Sequence, residues 1–188
     1  MLTLKTNLIK QLPNILTLLR IVLTCFINFY ILRHFGNLGV PITFSLLIFI
    51  TDLFDGKIAR FSGHASAFGA VFDVAADLFF IVTSYIVLLY LHITPLWFLF
   101  IILFKFIEFI FTSYFLKKHT SEKSIFIFDY LGRLAAVLFY IIPLLAYTSF
   151  QSSALIFFFI THIFIHIVAF MVFLSSASRL LSCARLLF

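Results

Sequence analysis

Four aspartates lie close together in one stretch of a strongly apolar chain, DLFDGKIARFSGHASAFGAVFDVAAD. Asp52 and Asp55 are spaced i, i+3, and Asp73 and Asp77 are spaced i, i+4, so each pair would project from one face of a helix. A carboxylate inside a membrane costs several kcal/mol unless it is paired, which makes such acids candidates for function. Four carboxylates at short range raise one another's pKa unless cations neutralise them. Because hard divalent cations prefer oxygen ligands, the stretch predicts two Mg²⁺ or Mn²⁺ ions about 4 Å apart, as in enzymes that displace groups at phosphorus.

Small residues accompany the aspartates. Gly56, Ala59 and Gly69 have almost no side chain, so a bulky ligand can approach the backbone beside the acids. With the cations, this pattern indicates a phosphate-bearing substrate. A cation-conducting path or a proton relay also uses acids at membrane depth, and this alternative stays open at this point.

The elements that must position these aspartates are membrane-spanning helices. The chain of 188 residues is 64% hydrophobic, has 29 phenylalanines and has a mean hydropathy of +1.21, which excludes an ordinary soluble globule. Apolar runs long enough to cross about 30 Å of hydrocarbon predict six spans. Residues 1–12 mix leucines with polar residues, as in a short amphipathic helix on the membrane surface. We therefore expect an all-α integral membrane protein with one domain, 1–188, and spans at about 14–34, 38–58, 69–92, 95–116, 127–148 and 152–175.

The basic residues predict the orientation of the spans. If the N-terminus is cytoplasmic, Arg33 alone among the 13 Lys and Arg residues lies on the outer side, and Arg20, Lys105 and Arg133 lie within spans or at their ends. The other nine then lie on the cytoplasmic side: Lys5, Lys10, Lys57, Arg60, Lys117, Lys118, Lys123, Arg179 and Arg185. We expect a multi-pass protein of the cytoplasmic membrane with both termini and the aspartates on the cytoplasmic side. The net charge of +6 is spread in short clusters between apolar runs, which favours contact with anionic lipid headgroups and not with nucleic acid.

The fixed spacing of this stretch, DxxDGxxARx8GxxxDxxxD, resembles the signature of the CDP-alcohol phosphatidyltransferase family. A second stretch, LPNILTLLRI, resembles the PNxLTxxR opening of bacterial phosphatidylglycerophosphate synthases in that family. The resemblance implies a transferase that moves a phosphatidyl group from CDP-diacylglycerol to the hydroxyl of a small acceptor and releases CMP. It also implies a homodimer.

The resemblance also implies roles for individual residues. Asp52, Asp55, Asp73 and Asp77 would hold two divalent ions, and Asp77 would take the proton of the acceptor hydroxyl as the catalytic base. The CDP moiety of the substrate would contact residues of the two motifs, namely Asn14, Thr17, Gly56, Ala59, Arg60, Ser66 and Gly69. The metal ions and Arg60 would neutralise charge on the phosphoryl oxygens.

The acceptor is the least determined part of this prediction. The opening motif favours glycerol 3-phosphate, but the sequence DVAADL has Val74 and Leu78 where such synthases have proline and lysine. Leu78 also replaces the arginine that is typical of enzymes acting on inositol phosphate. Serine and phosphatidylglycerol are further alternatives. Arg133 is a candidate for binding an anionic acceptor, or it pairs with Asp129 four residues earlier.

Two other polar pairs have no clear place in this site. Lys105 and Glu108, spaced i, i+3 in the fourth span, are most simply an ion pair inside the helix bundle. His162 and His166 form an HxxxH pair without the glutamate of an HExxH zinc site, so we expect a structural role.

Overall fold

The structure is a computed structural model that describes residues 2–61, 67–119 and 129–185, with side chains for 14–51, 68–118, 129–151 and 153–185. These residues are helical apart from short connections. The helices are α1 (Leu2–Arg33), α2 (Gly39–Phe61), α3 (Ala67–Tyr90), α4 (Leu96–His119), α5 (Tyr130–Ser152), α6 (Ala154–Phe158) and α7 (Ile165–Arg185), with a π-helical segment (Phe159–Phe164) between the last two.

The prediction of an all-α membrane protein is confirmed. Five helical stretches in the described part of the chain are long and apolar enough to span a membrane: Asn14–Arg33, Phe68–Tyr90, Leu96–Lys118, Tyr130–Gln151 and Ala154–Arg185. For α2 the apolar stretch in those residues is the shorter Gly39–Thr51, so the count of six stays a prediction. Residues 2–12 are helical and continue directly into the first span, and their place on the membrane surface also stays a prediction.

Helix α1 carries its polar residues on its buried face. Thr17, Arg20, Thr24 and Asn28 are at most 9% exposed, at the spacing of one helix face. Between Asn14 and Leu32 its exposed residues are apolar, the large ones being Ile15, Leu18, Leu19, Val22, Phe26, Phe29 and Leu32, and the exposed Arg33 is the last residue of the helix. Because lipid offers polar groups no hydrogen bonds, such a helix turns its polar side towards its neighbours. The polar residues of α1 therefore mark an interface inside the protein.

The chain divides into two compact units, and the first comprises Met1–Val87. In it α1 packs against α2, with the rings of Phe26 and Phe44 5.1 Å apart. The connection between the two helices contains Gly36, whose φ of +102° favours glycine. Asn37 then accepts the backbone N–H of Gly39 at 3.1 Å and caps the start of α2. This short turn makes α1 and α2 consecutive antiparallel helices.

The second unit comprises Leu88–Phe188. In it α7 packs against both α4 and α5. The core of this unit includes Phe98, Phe139, Ile142 and Ile165, each at most 1% exposed. Helix α7 runs to Arg185, well beyond the expected end of the sixth span at residue 175. The last turns of α7 therefore belong to the helical bundle of this unit.

Candidate active site

Helix α3 places Gly69, Asp73 and Asp77 on one face, because successive members are four residues apart. The side chains of Asp73 and Asp77 are 40% and 31% exposed. Both carboxylates are thus partly enclosed by protein and partly accessible.

Arg20 of α1 brings these two carboxylates together. Its side chain is fully buried, and its Nη1 donates to Oδ1 of Asp73 at 3.0 Å and to Oδ1 of Asp77 at 2.6 Å. Charge-assisted hydrogen bonds of this length are among the stronger polar contacts in proteins. One guanidinium nitrogen therefore fixes the spacing of the two acids.

A second polar contact joins the same two helices further along. Asn28 Nδ2 donates to Thr83 Oγ1 at 2.9 Å. Because both contacts advance in the same direction along α1 and α3, the two helices are parallel. Arg20 is the seventh residue of the span Asn14–Arg33 and Asp73 the sixth of Phe68–Tyr90, so the acids lie near the ends at which both spans begin.

A role of Arg20 in the site was not predicted from the sequence. A signal was nevertheless present, since an arginine inside an apolar span requires a partner within the protein. Arg20 is also the arginine of the PNxLTxxR resemblance, three residues after Thr17. The parallel pairing of α1 with α3 could not be predicted from the sequence. This pairing brings Asp73 and Asp77 into contact with Arg20.

The predicted nucleotide contacts lie in different environments. Asn14 is half-buried near the start of the first span, whereas Thr17 is only 3% exposed. Gly69 lies one turn before Asp73 and is half-buried. The remaining residues expected at the site belong to α2 or follow it: Asp52, Asp55, Gly56, Ala59 and Arg60 have side chains outside the described residues, and Ser66 lies outside them altogether.

The described residues fit a divalent cation in part. Asp73 and Asp77 supply oxygen donors that converge on one side chain, and oxygen donors suit Mg²⁺ and Mn²⁺. In the described part of the chain, no three His, Cys, Asp or Glu side chains form a metal-binding group. The family resemblance takes its other two ligands from Asp52 and Asp55, so the metal site stays a prediction that the convergence of Asp73 and Asp77 supports.

The second unit contains a further set of charged residues, here called the buried polar cluster: Lys105, Glu108, Asp129, Ser175, Ser176 and Arg179. Lys105 Nζ contacts Glu108 Oε2 at 2.7 Å, and both side chains are 6% exposed, which confirms the predicted ion pair. Lys105 also donates to Ser175 Oγ at 2.8 Å and to Ser176 Oγ at 3.2 Å. The cluster therefore joins α4 to α7 through charge-assisted hydrogen bonds.

Arg179 was assigned to the cytoplasmic side from the sequence, which stays a prediction, and the structure shows that it is a buried residue of the second unit. The residue is 2% exposed and lies inside the bundle, because α7 continues past it. It donates to Thr112 Oγ1 at 2.6 Å and 2.9 Å and to Asp129 Oδ1 at 3.2 Å, and its Nε lies 3.5 Å from Glu108 Oε1. A guanidinium can make these contacts at once because its five N–H groups point in different directions.

Asp129 ends the connection before α5 and caps that helix. Its Oδ2 accepts the Gly132 N–H at 2.8 Å and the Ser175 hydroxyl at 2.7 Å. Burial alone raises the pKa of Asp129, but the hydrogen bonds from Ser175, Gly132 and Arg179 and the charge of Lys105 outweigh burial and lower that pKa. The carboxylate thus links α5 to α7 in its ionised form.

The roles expected for Arg133, His162 and His166 stay predictions. Arg133 lies in the first turn of α5 and donates its backbone N–H to Asp129 O at 3.0 Å. The ring of His162 lies 4.8 Å from that of Phe158, and the ring of His166 lies 4.8 Å from that of Trp97. Each histidine therefore packs on a different aromatic residue.

Comparison with known proteins gives one family. Residues 10–174 match the family model of the CDP-alcohol phosphatidyltransferases. The chain is 39% identical over 100 residues to "Probable cardiolipin synthase (CMP-forming)" of Drosophila melanogaster, over 52% of this chain and 30% of that protein. It is 36% identical over 95 residues to "Putative cardiolipin synthase" of Mycobacterium tuberculosis, over 49% of this chain and 44% of that protein. These alignments cover less than half the length of the curated relatives. Because the family model spans most of the chain, the protein belongs to the CDP-alcohol phosphatidyltransferase family, whose members are transferases of phospholipid biosynthesis.

Proposed function

We propose that this protein transfers the phosphatidyl group of CDP-diacylglycerol to a hydroxyl of phosphatidylglycerol, which forms cardiolipin and CMP. The family match over residues 10–174 supports the reaction type of this proposal. The names of the two relatives, both cardiolipin synthases, support this acceptor. Glycerol 3-phosphate, which the opening motif favours, is the second candidate.

The sequence around the last aspartate also supports a lipid acceptor. Leu78 stands where the resemblance to glycerol-phosphate enzymes expects a lysine. A soluble anionic acceptor must be captured from water, and basic side chains supply that binding energy. Phosphatidylglycerol is already held in the bilayer by its acyl chains, so less of its positioning has to come from contacts with its phosphate.

In the proposed reaction, the acceptor hydroxyl oxygen attacks the phosphorus that bears the diacylglycerol. A new P–O bond forms, the P–O bond to CMP breaks, and CMP leaves with the electron pair of that bond. The hydroxyl proton passes to Asp77. The carboxylate of Asp77 is 31% exposed, so a substrate hydroxyl can reach it from the open side of α3.

The main role assigned to the protein in catalysis is to position the metal ions and the substrate. Asp52, Asp55, Asp73 and Asp77 would hold two divalent ions, Mg²⁺ or Mn²⁺, which neutralise phosphoryl charge when bound. Arg20 holds Asp73 and Asp77 at a fixed spacing. The CDP moiety would lie near the starts of the first and third spans, against the residues assigned to it by resemblance: Asn14, Thr17, Gly56, Ala59, Arg60, Ser66 and Gly69.

The proposed setting is the cytoplasmic face of a cell membrane. Arg20 and Asp73 meet near the ends at which their spans begin, and the distribution of basic residues favours the cytoplasm for those ends. The family match runs through both compact units, which supports one catalytic domain over 1–188. Arg133 is proposed to contact the acceptor phosphate, and a homodimer is proposed from the family resemblance.

The test is an acceptor screen with the purified full chain in mixed micelles containing CDP-diacylglycerol and Mg²⁺ or Mn²⁺. Phosphatidylglycerol, glycerol 3-phosphate, inositol phosphate and serine are offered separately, with CMP release and lipid masses as readouts. We expect CMP and cardiolipin with phosphatidylglycerol. Phosphatidylglycerophosphate as the main product would replace the proposed acceptor, and absence of CMP with every acceptor would refute the transferase assignment.

Two variants separate chemistry from folding. Asp77→Asn should lower CMP release at least about 10²-fold, since a general base typically contributes that factor or more. Asn28→Ala removes a different polar contact between α1 and α3 and should leave most activity intact. Flux of divalent cations into liposomes without CMP release would instead favour the channel alternative.

A further inference from the structure

Arg20 is a buried cation whose described partners include two of the four aspartates assigned to the metal site. We propose that Arg20 acts as an internal counter-cation: it neutralises Asp73 and Asp77 while the divalent cations are absent, and by doing so it sets how tightly those cations bind. This inference rests on the proposed function in taking these aspartates as metal ligands. It assigns Arg20 as a positioning residue and gives it no contact with the reacting atoms.

Arg20 leaves part of the two carboxylates accessible. The Arg20 side chain is fully buried, and its Nη1 contacts the Oδ1 atom of each aspartate. The side chains of Asp73 and Asp77 nevertheless remain 40% and 31% exposed. Each carboxylate has two oxygens, so a cation that binds them would meet acids whose charge is already partly balanced.

A purely structural tie between α1 and α3 would not need a charge. Asn28 and Thr83 join the same helices with a neutral hydrogen bond at 2.9 Å. A guanidinium within a span is costly unless opposite charges compensate it, so an uncharged contact would serve packing at lower cost. The positive charge of Arg20 is therefore explained by the two negative charges that it meets.

This arrangement has two opposing effects on cation binding. Arg20 keeps the carboxylates at one spacing, which favours binding through preorganisation. Its positive charge repels a divalent cation a few ångströms away, and at that distance in a partly buried site repulsion between charges is the larger effect. Removing the charge while keeping the side chain polar should therefore tighten cation binding, even though the metal-free protein becomes less stable.

The experiment measures Mn²⁺ binding directly, by titration of free Mn²⁺ in electron paramagnetic resonance, together with thermal unfolding with and without Mn²⁺. The proteins are the full chain and its Arg20→Gln, Arg20→Lys and Asn28→Ala variants in detergent. For Arg20→Gln we expect a lower unfolding midpoint without Mn²⁺, a dissociation constant about tenfold smaller, and a larger rise of the midpoint on adding Mn²⁺. Arg20→Lys keeps the charge and should bind Mn²⁺ within about threefold of the unmodified chain.

Asn28→Ala is the matched control because it breaks a contact between the same helices without changing charge. It should lower the unfolding midpoint and leave the Mn²⁺ dissociation constant unchanged. An Arg20→Gln protein that folds only with Mn²⁺ also supports the proposal, since the cation then supplies the missing charge. Unchanged or weaker Mn²⁺ binding by folded Arg20→Gln, or failure of that variant to fold under either condition, overturns it.

The outcome is independent of the acceptor screen. Tighter Mn²⁺ binding by Arg20→Gln in a protein that releases no CMP would keep the role of Arg20 and refute the proposed function. CMP release by the unmodified chain, with no change in the Mn²⁺ affinity of Arg20→Gln, would keep the proposed function and refute the role of Arg20.

Discussion

Replacing Arg179 by methionine should strongly destabilise the second unit. Arg179 is 2% exposed, and its guanidinium contacts Thr112, Asp129 and Glu108. Methionine fills much of the same volume, but of the two cations in the buried polar cluster it leaves Lys105 alone to balance Glu108 and Asp129. Removing one partner of a buried ion pair typically costs about 3–5 kcal/mol, so Arg179→Met should lower the free energy of unfolding by about that amount.

The balance of charges gives this prediction a second, sharper part. Lys105, Arg179, Glu108 and Asp129 sum to zero formal charge, and Arg179→Met makes the sum negative. Adding Glu108→Gln restores neutrality while Lys105 keeps its hydrogen bonds to Ser175 and Ser176. The double variant should therefore be more stable than the two single effects added together, by a coupling energy of about 1–3 kcal/mol.

The assay is unfolding by SDS titration in mixed micelles, monitored by circular dichroism. The four proteins compared are the unmodified chain, Arg179→Met, Glu108→Gln and the double variant. Arg185→Met is the matched control, since Arg185 is exposed on the same helix and should change stability by less than about 0.5 kcal/mol. Two outcomes would refute the view that the buried polar cluster acts as one balanced set of charges. One is an Arg179→Met protein as stable as this control. The other is a double variant whose change in unfolding free energy equals the sum of the two single changes.

Three further predictions follow from the same structure. A Cβ at residue 132 would collide with the Asp129 carboxylate, so Gly132→Ala should disturb the cap of α5 and cost about 1–2 kcal/mol in the same unfolding assay. Tyr130→Phe, at an exposed site in the same first turn of α5, should cost almost nothing. The folded-state pKa of Asp129 is lowered from 3.8, so the stability it contributes is complete above that pH and is lost as pH falls through the lower value. The difference in unfolding free energy between the unmodified chain and Asp129→Asn should therefore be constant at higher pH and shrink below pH 3.8, and a difference that grows on acidification would contradict this sign. Finally, EDTA should abolish CMP release and added Mg²⁺ or Mn²⁺ should restore it, while activity that persists in EDTA would exclude the proposed role of the four aspartates.

The helices could be predicted well because the membrane imposes a simple rule on composition. Apolar runs of about 20 residues separated by turn residues gave the helices to within a few residues at most ends. Helix α7 continues to Arg185, ten residues beyond the expected end of the sixth span. Hydropathy does not show that Arg179 is buried against Glu108 and Asp129, because these partners are 71 and 50 residues away in sequence.

The sequence predicted which residues form the site better than it predicted which side chains contact one another. The spacing of Asp73 and Asp77 correctly placed both on one face of α3. Their contact with Arg20 depends on the pairing of α1 with α3, which a single sequence does not encode in any local pattern. The Lys105–Glu108 pair could be predicted because i, i+3 contacts are local, whereas the links of Lys105 to Ser175 and Ser176 could not.

The contact of Arg20 with Asp73 also bears on how the protein is made. The two residues are 53 positions apart, so at about 5–20 residues per second the ribosome needs about 3–10 s to reach Asp73 after Arg20. During that interval the first span carries a guanidinium whose later counter-charges have not yet been synthesised. We expect nascent chains that end before α3 to be held at the insertion machinery or degraded, and chains that extend beyond Asp77 to be released into the bilayer.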